Sequence, residues 1–474
     1  MKVTVIGAGV GGLAAAVRLA HAGHRVTVLE QAEQPGGKCG RVRQDGFTWD
    51  SGPSLLTMPW VFEALFADTG APLADELELL RVEPVTRYRF ADGSGFDMSA
   101  DLPRAIAELD AWSPGAGADW TRFLGTCAGM WRASVPFLTG PPPWPPRRPR
   151  PGEPRPDPRD LARVKPWWTL RGLARAHARD PRLQLVIERF ATYAGADPRR
   201  APAALAVAGY VEHAFGAWHP RSGLYSLVEA LVRRLEALGG ELRLGTAARR
   251  IVLADRAVRG VETDGGRHPA EAVVANVDAE LVQRGLLARP PAPTRERSLS
   301  GFALILGLRG RTNGLTHHAV TFPRDYDAEF DDLFVDRHPV RHPTLYVSAS
   351  CATDPADAPA DAQNWFVLVN APAGGGAEDW AGYEERLIDR LGVRDRVASV
   401  ARRTPADLER ETGALAGAIY GAAPHGRLGT LRRPSATVRG VRGLWLAGGT
   451  THPGGGLPLV ALSGKLAADA IGPA

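Results

Sequence analysis

The chain opens on Lys2-Val3-Thr4-Val5-Ile6, an apolar strand that runs straight into Gly7-Ala8-Gly9-Val10-Gly11-Gly12 and then an Ala- and Leu-rich helix ending near Gly23. Few folds accept a strand, a glycine loop and a helix in that order. Gly7 serves a tight turn, Gly9 lets main chain approach a pyrophosphate, and Gly12 lets the helix pack closely on the strand. The helix start then faces the phosphates. A second strand, Arg25-Val26-Thr27-Val28-Leu29, ends in Glu30, a carboxylate placed to accept hydrogen bonds from an adenosine ribose and to repel a 2′-phosphate. Together these residues predict a bound adenine dinucleotide.

Downstream lie Gly36-Gly37-Lys38-Cys39-Gly40-Arg41, a strand-like stretch to Phe47-Thr48-Trp49-Asp50, and Ser51-Gly52-Pro53. A nicotinamide dehydrogenase does not need them. Gly36 and Gly37 again let main chain approach a ligand, while Lys38 and Arg41 can neutralise phosphate or hold a flavin edge. Alone, the pair is a turn and the lysine a solvated charge. The other end of the chain tips the balance, because Gly443 to Ala447 reads as a strand, Gly448 to Pro458 as a glycine loop, and Ala461 to Ile471 as a helix. A second strand-to-helix crossover so far from the first predicts that both chain ends grip one extended cofactor.

At this point the sequence resembles the bacterial phytoene desaturases, carotenoid desaturases within the FAD-binding amine-oxidase-like flavoproteins. The resemblance rests on VTVIGAGVGGLAAAVRLAHAGHRVTVLEQAEQPGGKCGRV, GFTWDSGPSLLTMP, YAGADPRRAPAALAVAGYVEHAFGAWHPRSGLYSLVEALVRRLEALGGELRLGTAARRI and GLWLAGGTTHPGGGLPLVALSGKLAADAI, with AFGAWHP and THPGGGLP the most restricted, and it spans nearly the whole chain. Smaller family-like pieces are Val273 to Asp278, His317-His318, and Asp354-Pro355 leading to Asn364. The resemblance implies FAD as cofactor, with Gly7, Gly9 and Gly12 flanking the pyrophosphate and Glu30 the ribose. It places Gly36, Gly37, Lys38, Arg41, Gly52 and Pro53 beside the flavin, Ala248 near the adenine, and Gly448, Gly449, Thr450, Gly456, Leu457, Pro458 and Leu459 on the pyrophosphate and ring. Gly448-Gly449 departs from the family's usual Gly-Ala, a doublet associated with desaturases of hydroxylated or later carotenoids.

The implied architecture is α/β, a Rossmann-type FAD-binding domain of residues 1–75, 220–290 and 420–474 interleaved with a mixed-sheet and helix substrate domain of residues 76–219 and 291–419. At 474 residues, 44% hydrophobic, the chain is long enough for two cores. Phe302 to Leu308 and Trp365 to Val369 read as strands. The implied reaction is FAD-dependent desaturation of an apolar polyene, phytoene or a later carotene, with hydride passing to the flavin. A 1-hydroxycarotenoid 3,4-desaturase, an isomerase and a terminal-methyl oxidase are the nearest alternatives, followed by an amine oxidase and a prenyl-lipid carrier. Glu212, His213 and His219, in an aromatic stretch, are the candidate catalytic proton acceptors. Oxygen and a membrane quinone remain as electron acceptors.

Three cysteines without metal spacing, and no charged leader before the first strand, predict a cytoplasmic protein with no metal site. No apolar run approaches the ~20 residues that span a bilayer. Net charge is +5, with much of the excess in residues 140–175, where a Pro/Arg-rich stretch leads into Arg163-Val164-Lys165-Pro166-Trp167-Trp168. Two readings of that segment stand: a surface helix packing its tryptophans inward, or contact with the inner face of the cell membrane. No nucleic-acid motif is present.

Overall fold

The computed structural model describes residues 1–142, 158–290, 295–375, 378–427 and 429–474. Most of the Pro/Arg-rich stretch singled out above, residues 143–157, lies outside them. The first strand, β1 (Lys2–Ile6), leads into helix α1 (Val10–His21) and strand β2 (Arg25–Leu29). They build a five-stranded parallel sheet in the order Leu444–Leu446, Ala272–Ala275, β1, β2, Glu241–Arg243. Both chain ends therefore meet in one sheet. The central strand Ala272–Ala275 and residues Val3 to Ile6 of β1 are buried throughout, as the interior of a parallel sheet requires, whereas the edge strand Glu241–Arg243 is largely exposed.

A second sheet of seven strands is mixed, in the order Val397–Arg403, Ser300–Arg309, Ala362–Ala371, Leu345–Ser348, His318–Thr321, Thr86–Arg89, Gly95–Met98. Its long central pair is antiparallel, registering Ser300 with Ala371 and Arg309 with Ala362. Ser300 to Leu308 is buried throughout, which is why SGFALILGL shows no alternation. Helices Ala116–Leu138 and Pro181–Glu188 cover this layer around Trp120, Phe123 and Phe190.

The C-terminal helix runs Leu457–Ile471, four residues longer at its start than the sequence reading placed it. Pro458 sits in its first turn, where a missing N–H costs nothing. That helix packs on α1 through glycine. A Cβ on Gly464 would lie 2.3 Å from the Gly11 carbonyl oxygen and 2.9 Å from the Ala15 nitrogen. Gly12 is as tight, its Cβ position 2.2 Å from the Gly7 oxygen.

Among the described residues no helix is long and apolar enough to cross a membrane. Inward packing of the tryptophans is overturned: Trp167 is 59% and Trp168 37% exposed. The chain turns between helices Pro158–Arg163 and Leu170–His177, and Lys165 Nζ lies 4.8 Å above the Trp168 ring.

The seam between α1 and the C-terminal helix gives a direct test. Gly464→Val should destabilise the fold by at least about 2 kcal/mol, since the obstructing atoms are backbone. An unchanged urea midpoint would show that the helices are not so closely applied.

Candidate flavin and substrate cavity

One cavity of about 1200 Å³ runs from the glycine loops of the parallel sheet to the face of the mixed sheet. Its floor is bare main chain. Gly7, Gly9 and Gly11 at the start of α1, Gly36-Gly37, and Gly448-Gly449 all line it. They converge on Asn276, whose Nδ2 donates to the Gly7 oxygen at 3.3 Å. A Cβ on Gly9 would sit 2.8 Å from that same nitrogen, and one on Gly11 3.2 Å from Gly448 Cα. Such a cradle admits a pyrophosphate against N–H groups and the positive end of a helix dipole. Gly12 faces away from the cavity, into the packing of α1 on β1.

Glu30 lines the cavity with Thr246 and Ala248. Its Oε2 accepts the Ala8 N–H at 2.7 Å and its Oε1 the Ala32 N–H at 3.0 Å, which fixes the carboxylate at the loop and leaves lone pairs for a ribose. At the other end, Gly52, Pro53, Thr450, Gly456, Leu457, Pro458 and Leu459 line the wall. Lys38 joins them, its Nζ donating to the carbonyls of Ile419 at 2.6 Å and Ala418 at 3.3 Å. Burial lowers its pKa to about 8, against the pull of Asp278. Arg433 donates to the carbonyl oxygens of Gly449 at 2.9 Å and Tyr420 at 3.2 Å, and burial brings it to about 10. Arg41 is turned elsewhere: its guanidinium pairs with Glu229 and lies 4.6 Å over the Tyr225 ring.

The substrate side is walled by Trp131, Phe137, Leu138, Phe190, Val207 and Val211, with Gly301, Ala303, Phe366 and Leu368 from the mixed sheet. Val164 and Pro166, flanking the exposed tryptophans, also reach it. Two polar chains interrupt this apolar surface. In one, Arg189 Nη1 donates to the Tyr193 oxygen at 2.9 Å and the Tyr193 hydroxyl donates to Glu212 Oε1 at 2.8 Å. In the other, Ser54 Oγ, the Tyr346 hydroxyl and His318 Nδ1 are linked at 2.5 and 2.8 Å. Burial pushes the Glu212 carboxyl above its ordinary range and lowers His318 to about 3, so that imidazole is neutral.

Of the three candidate proton acceptors, Glu212 reaches the cavity wall through Tyr193. His213, next in the helix Val207–Phe215, points about 100° away and accepts from Trp120 Nε1 at 3.0 Å. His219 lies behind His318, its ring 4.8 Å from that of His317, with Nε2 3.6 Å from Asp357. Arg189, Tyr193, Tyr346, Asn276 and Arg433 were not singled out from the sequence. Asn276 and Tyr193 stood in family-like segments, whereas a lone arginine in Glu188-Arg189-Phe190-Ala191 carries no signal at all.

The model for flavin-containing amine oxidoreductases matches residues 10–472. A hydroxyneurosporene desaturase from Rubrivivax gelatinosus is 36% identical, with 99% of this chain and 93% of that protein covered. A zeta-carotene-forming phytoene desaturase from Myxococcus xanthus is 34% identical over the same shares, 99% and 93%. Among solved structures, an oxidoreductase from Methanosarcina mazei superposes with a TM-score of 0.64 at 18% identity, covering 98% of this chain and 99% of that one, a likeness of fold.

Lys38 predicts a pH signature in the apoprotein. A folded-state pKa near 8, below the ordinary 10.5, means that the unfolded chain holds more protons between those values. Stability should therefore rise with pH across that window, by up to about 3 kcal/mol relative to Lys38→Met. Urea melts of both proteins at pH 7.5 and 10 check this, and a pH-independent difference would refute it.

Proposed function

The chain belongs to the flavin-containing amine oxidoreductases, and from that premise we propose that it is an FAD-dependent desaturase that introduces double bonds into a carotenoid polyene, phytoene or a later carotene. The observation that carries this reading is the continuity of the glycine-floored trough with a long apolar chamber in one cavity. On this reading residues 1–75, 220–290 and 420–474 hold the cofactor, and 76–219 with 291–419 enclose the polyene. Gly7, Gly9 and Gly448 would receive the pyrophosphate, Glu30 the ribose, and Lys38, Pro53 and Thr450 to Leu459 the flavin. FAD bound there supplies hydride acceptance.

The protein's own part is alignment, exclusion of water and transfer of one proton. Leu368, Phe366 and Val211 offer surface against which an extended polyene packs without a hydrogen bond to satisfy. As hydride leaves one carbon, its neighbour loses a proton to the Tyr193 oxygen, and the Tyr193 proton passes to Glu212 Oε1. The raised affinity of that buried carboxylate for a proton suits it to the task. The C–H electron pair left behind becomes the new double bond. Oxygen or a membrane quinone then takes the electrons.

For so apolar a substrate the source is a membrane surface. Trp167 and Trp168 face outward beside Lys165, and their neighbours Val164 and Pro166 line the cavity. Tryptophan next to a cation is the composition of a bilayer interface. We place this face on the inner side of the cell membrane, as a peripheral contact.

Two experiments test this. In a host that accumulates phytoene, the chain should yield longer-wavelength pigments, each step lighter by two hydrogens. Gly9→Val should yield none and purify without flavin. Unchanged pigment with flavin retained by both proteins would end the proposal. Independently, Trp167→Ser with Trp168→Ser should reduce cosedimentation with anionic phospholipid vesicles severalfold at unchanged flavin content, and equal sedimentation would remove the membrane from the account.

A further inference from the structure

A second cavity, of about 580 Å³, adjoins the glycine-floored trough and shares Arg433 with its wall. It is built from Gln283, Arg289 and Arg295 on one arm of the chain and from residues 432–439 on another, with Leu446 at the end of the edge strand Leu444–Leu446. Five arginines line it, Arg289, Arg295, Arg432, Arg433 and Arg439, and no acidic residue does. Other arginines of this region find carboxylates: Arg284 and Arg297 share Glu280 at 2.8 and 2.5 Å, and Arg200 takes Glu296 at 2.7 Å. The five in the cavity have no carboxylate partner among the described residues, and three of them are clamped to main chain instead. Arg295 Nη1 donates to the Arg432 carbonyl oxygen at 2.9 Å, Arg289 Nη1 to that of Arg439 at 3.5 Å, and Arg433 Nη1 to those of Gly449 and Tyr420. Each clamp engages one nitrogen of the fork and leaves the others free to donate.

Like charges that were merely solvated would spread apart. Here the two arms interlock, Arg295 against the backbone of Arg432 and Arg289 against that of Arg439, so the charges are kept around one space. A cleft lined by one sign of charge concentrates the opposite ion. Guanidinium forks match the oxygens of a phosphate two at a time, and several forks can share one phosphate. The hydroxyls of Ser435 and Thr437, 3.3 Å apart on the same wall, add donors for oxygens the arginines do not reach. We propose that this cavity binds a phosphate-bearing anion. Its volume exceeds a bare phosphate and falls among ordinary small-ligand pockets, which leaves room for the group that carries the phosphate. That group is the headgroup of an anionic phospholipid or the body of a free phosphorylated compound. The site is independent of the polyene chemistry proposed above, although Arg433 ties it to the loop at Gly449.

Calorimetric titration of inorganic pyrophosphate into the flavin-loaded protein, in a phosphate-free buffer, reads the site, and variants locate it whether or not the trough is filled. Saturable binding is expected. Arg295→Gln with Arg439→Gln, two residues that line the second cavity alone, should weaken it at least about tenfold. Arg221→Gln with Arg233→Gln removes the same charge from residues that line neither cavity and should leave the affinity unchanged. Cosedimentation of these proteins with phosphatidylglycerol vesicles, against phosphatidylcholine, separates the two sources. Phosphatidylglycerol binding lost only in the Arg295 and Arg439 variant identifies a lipid headgroup, whereas pyrophosphate binding lost in that variant with vesicle binding intact identifies a free anion. If neither ligand depends on the cavity arginines, or if both double variants lose binding alike, the site is overturned. Should the cavity double variant fail to fold, Arg439→Gln alone must weaken binding severalfold, and an unchanged affinity overturns the site equally.

Discussion

Everything in this molecule hangs on the approach of separate backbone segments at the start of α1. Residues 7–12, Asn276, Gly448 and Gly464 come together with almost no side-chain volume between them, the Gly464 Cβ position lying 2.3 Å from the Gly11 oxygen. That contact fixes the C-terminal helix against the N-terminal one and closes the parallel sheet with Leu444–Leu446 at its edge. It also leaves N–H groups uncovered where an anion fits. Structure and binding thus draw on the same missing atoms.

Those atoms are also why the cofactor half was legible in the sequence. A glycine required by local sterics announces itself in a short window, so Gly7 to Gly12 and Gly448 to Gly456 could be placed on turns without knowing what lay opposite. The strands were nearly as plain, although Pro458 hid the first turn of the last helix by looking like part of a loop. Arg41 shows the limit of this kind of reading. Its motif position was clear, yet its direction was decided by Glu229, which lies far along the chain.

The substrate half could not be read in the same way, because burial is assembled from distant segments. Nothing near Arg189 in the sequence reveals that Tyr88 and Tyr346, from different strands of the mixed sheet, will enclose it. Glu212 and His213 were equal candidates as neighbours. Helix Val207–Phe215 separates them, turning one toward Tyr193 and the other toward Trp120. Trp167 and Trp168 posed the same problem on the outer surface, where composition allowed either face and only packing chose.

The cations at the trough have an energetic consequence for the whole fold. Lys38 and Arg433 are both held below their ordinary pKa by burial and bond to carbonyl oxygens rather than to carboxylates. A buried charge answered mainly by carbonyl dipoles, with Asp278 attracting Lys38 only through space, is tolerated at a cost. The pyrophosphate and flavin of the proposed cofactor are the anionic and polar groups that would offset it, and they would bind the folded chain alone. Folding and cofactor binding are then linked by mass action, with stability growing as the logarithm of cofactor concentration over its dissociation constant. The apoprotein keeps those charges without such a partner, so the proposed cofactor would complete this fold as much as its apolar packing does.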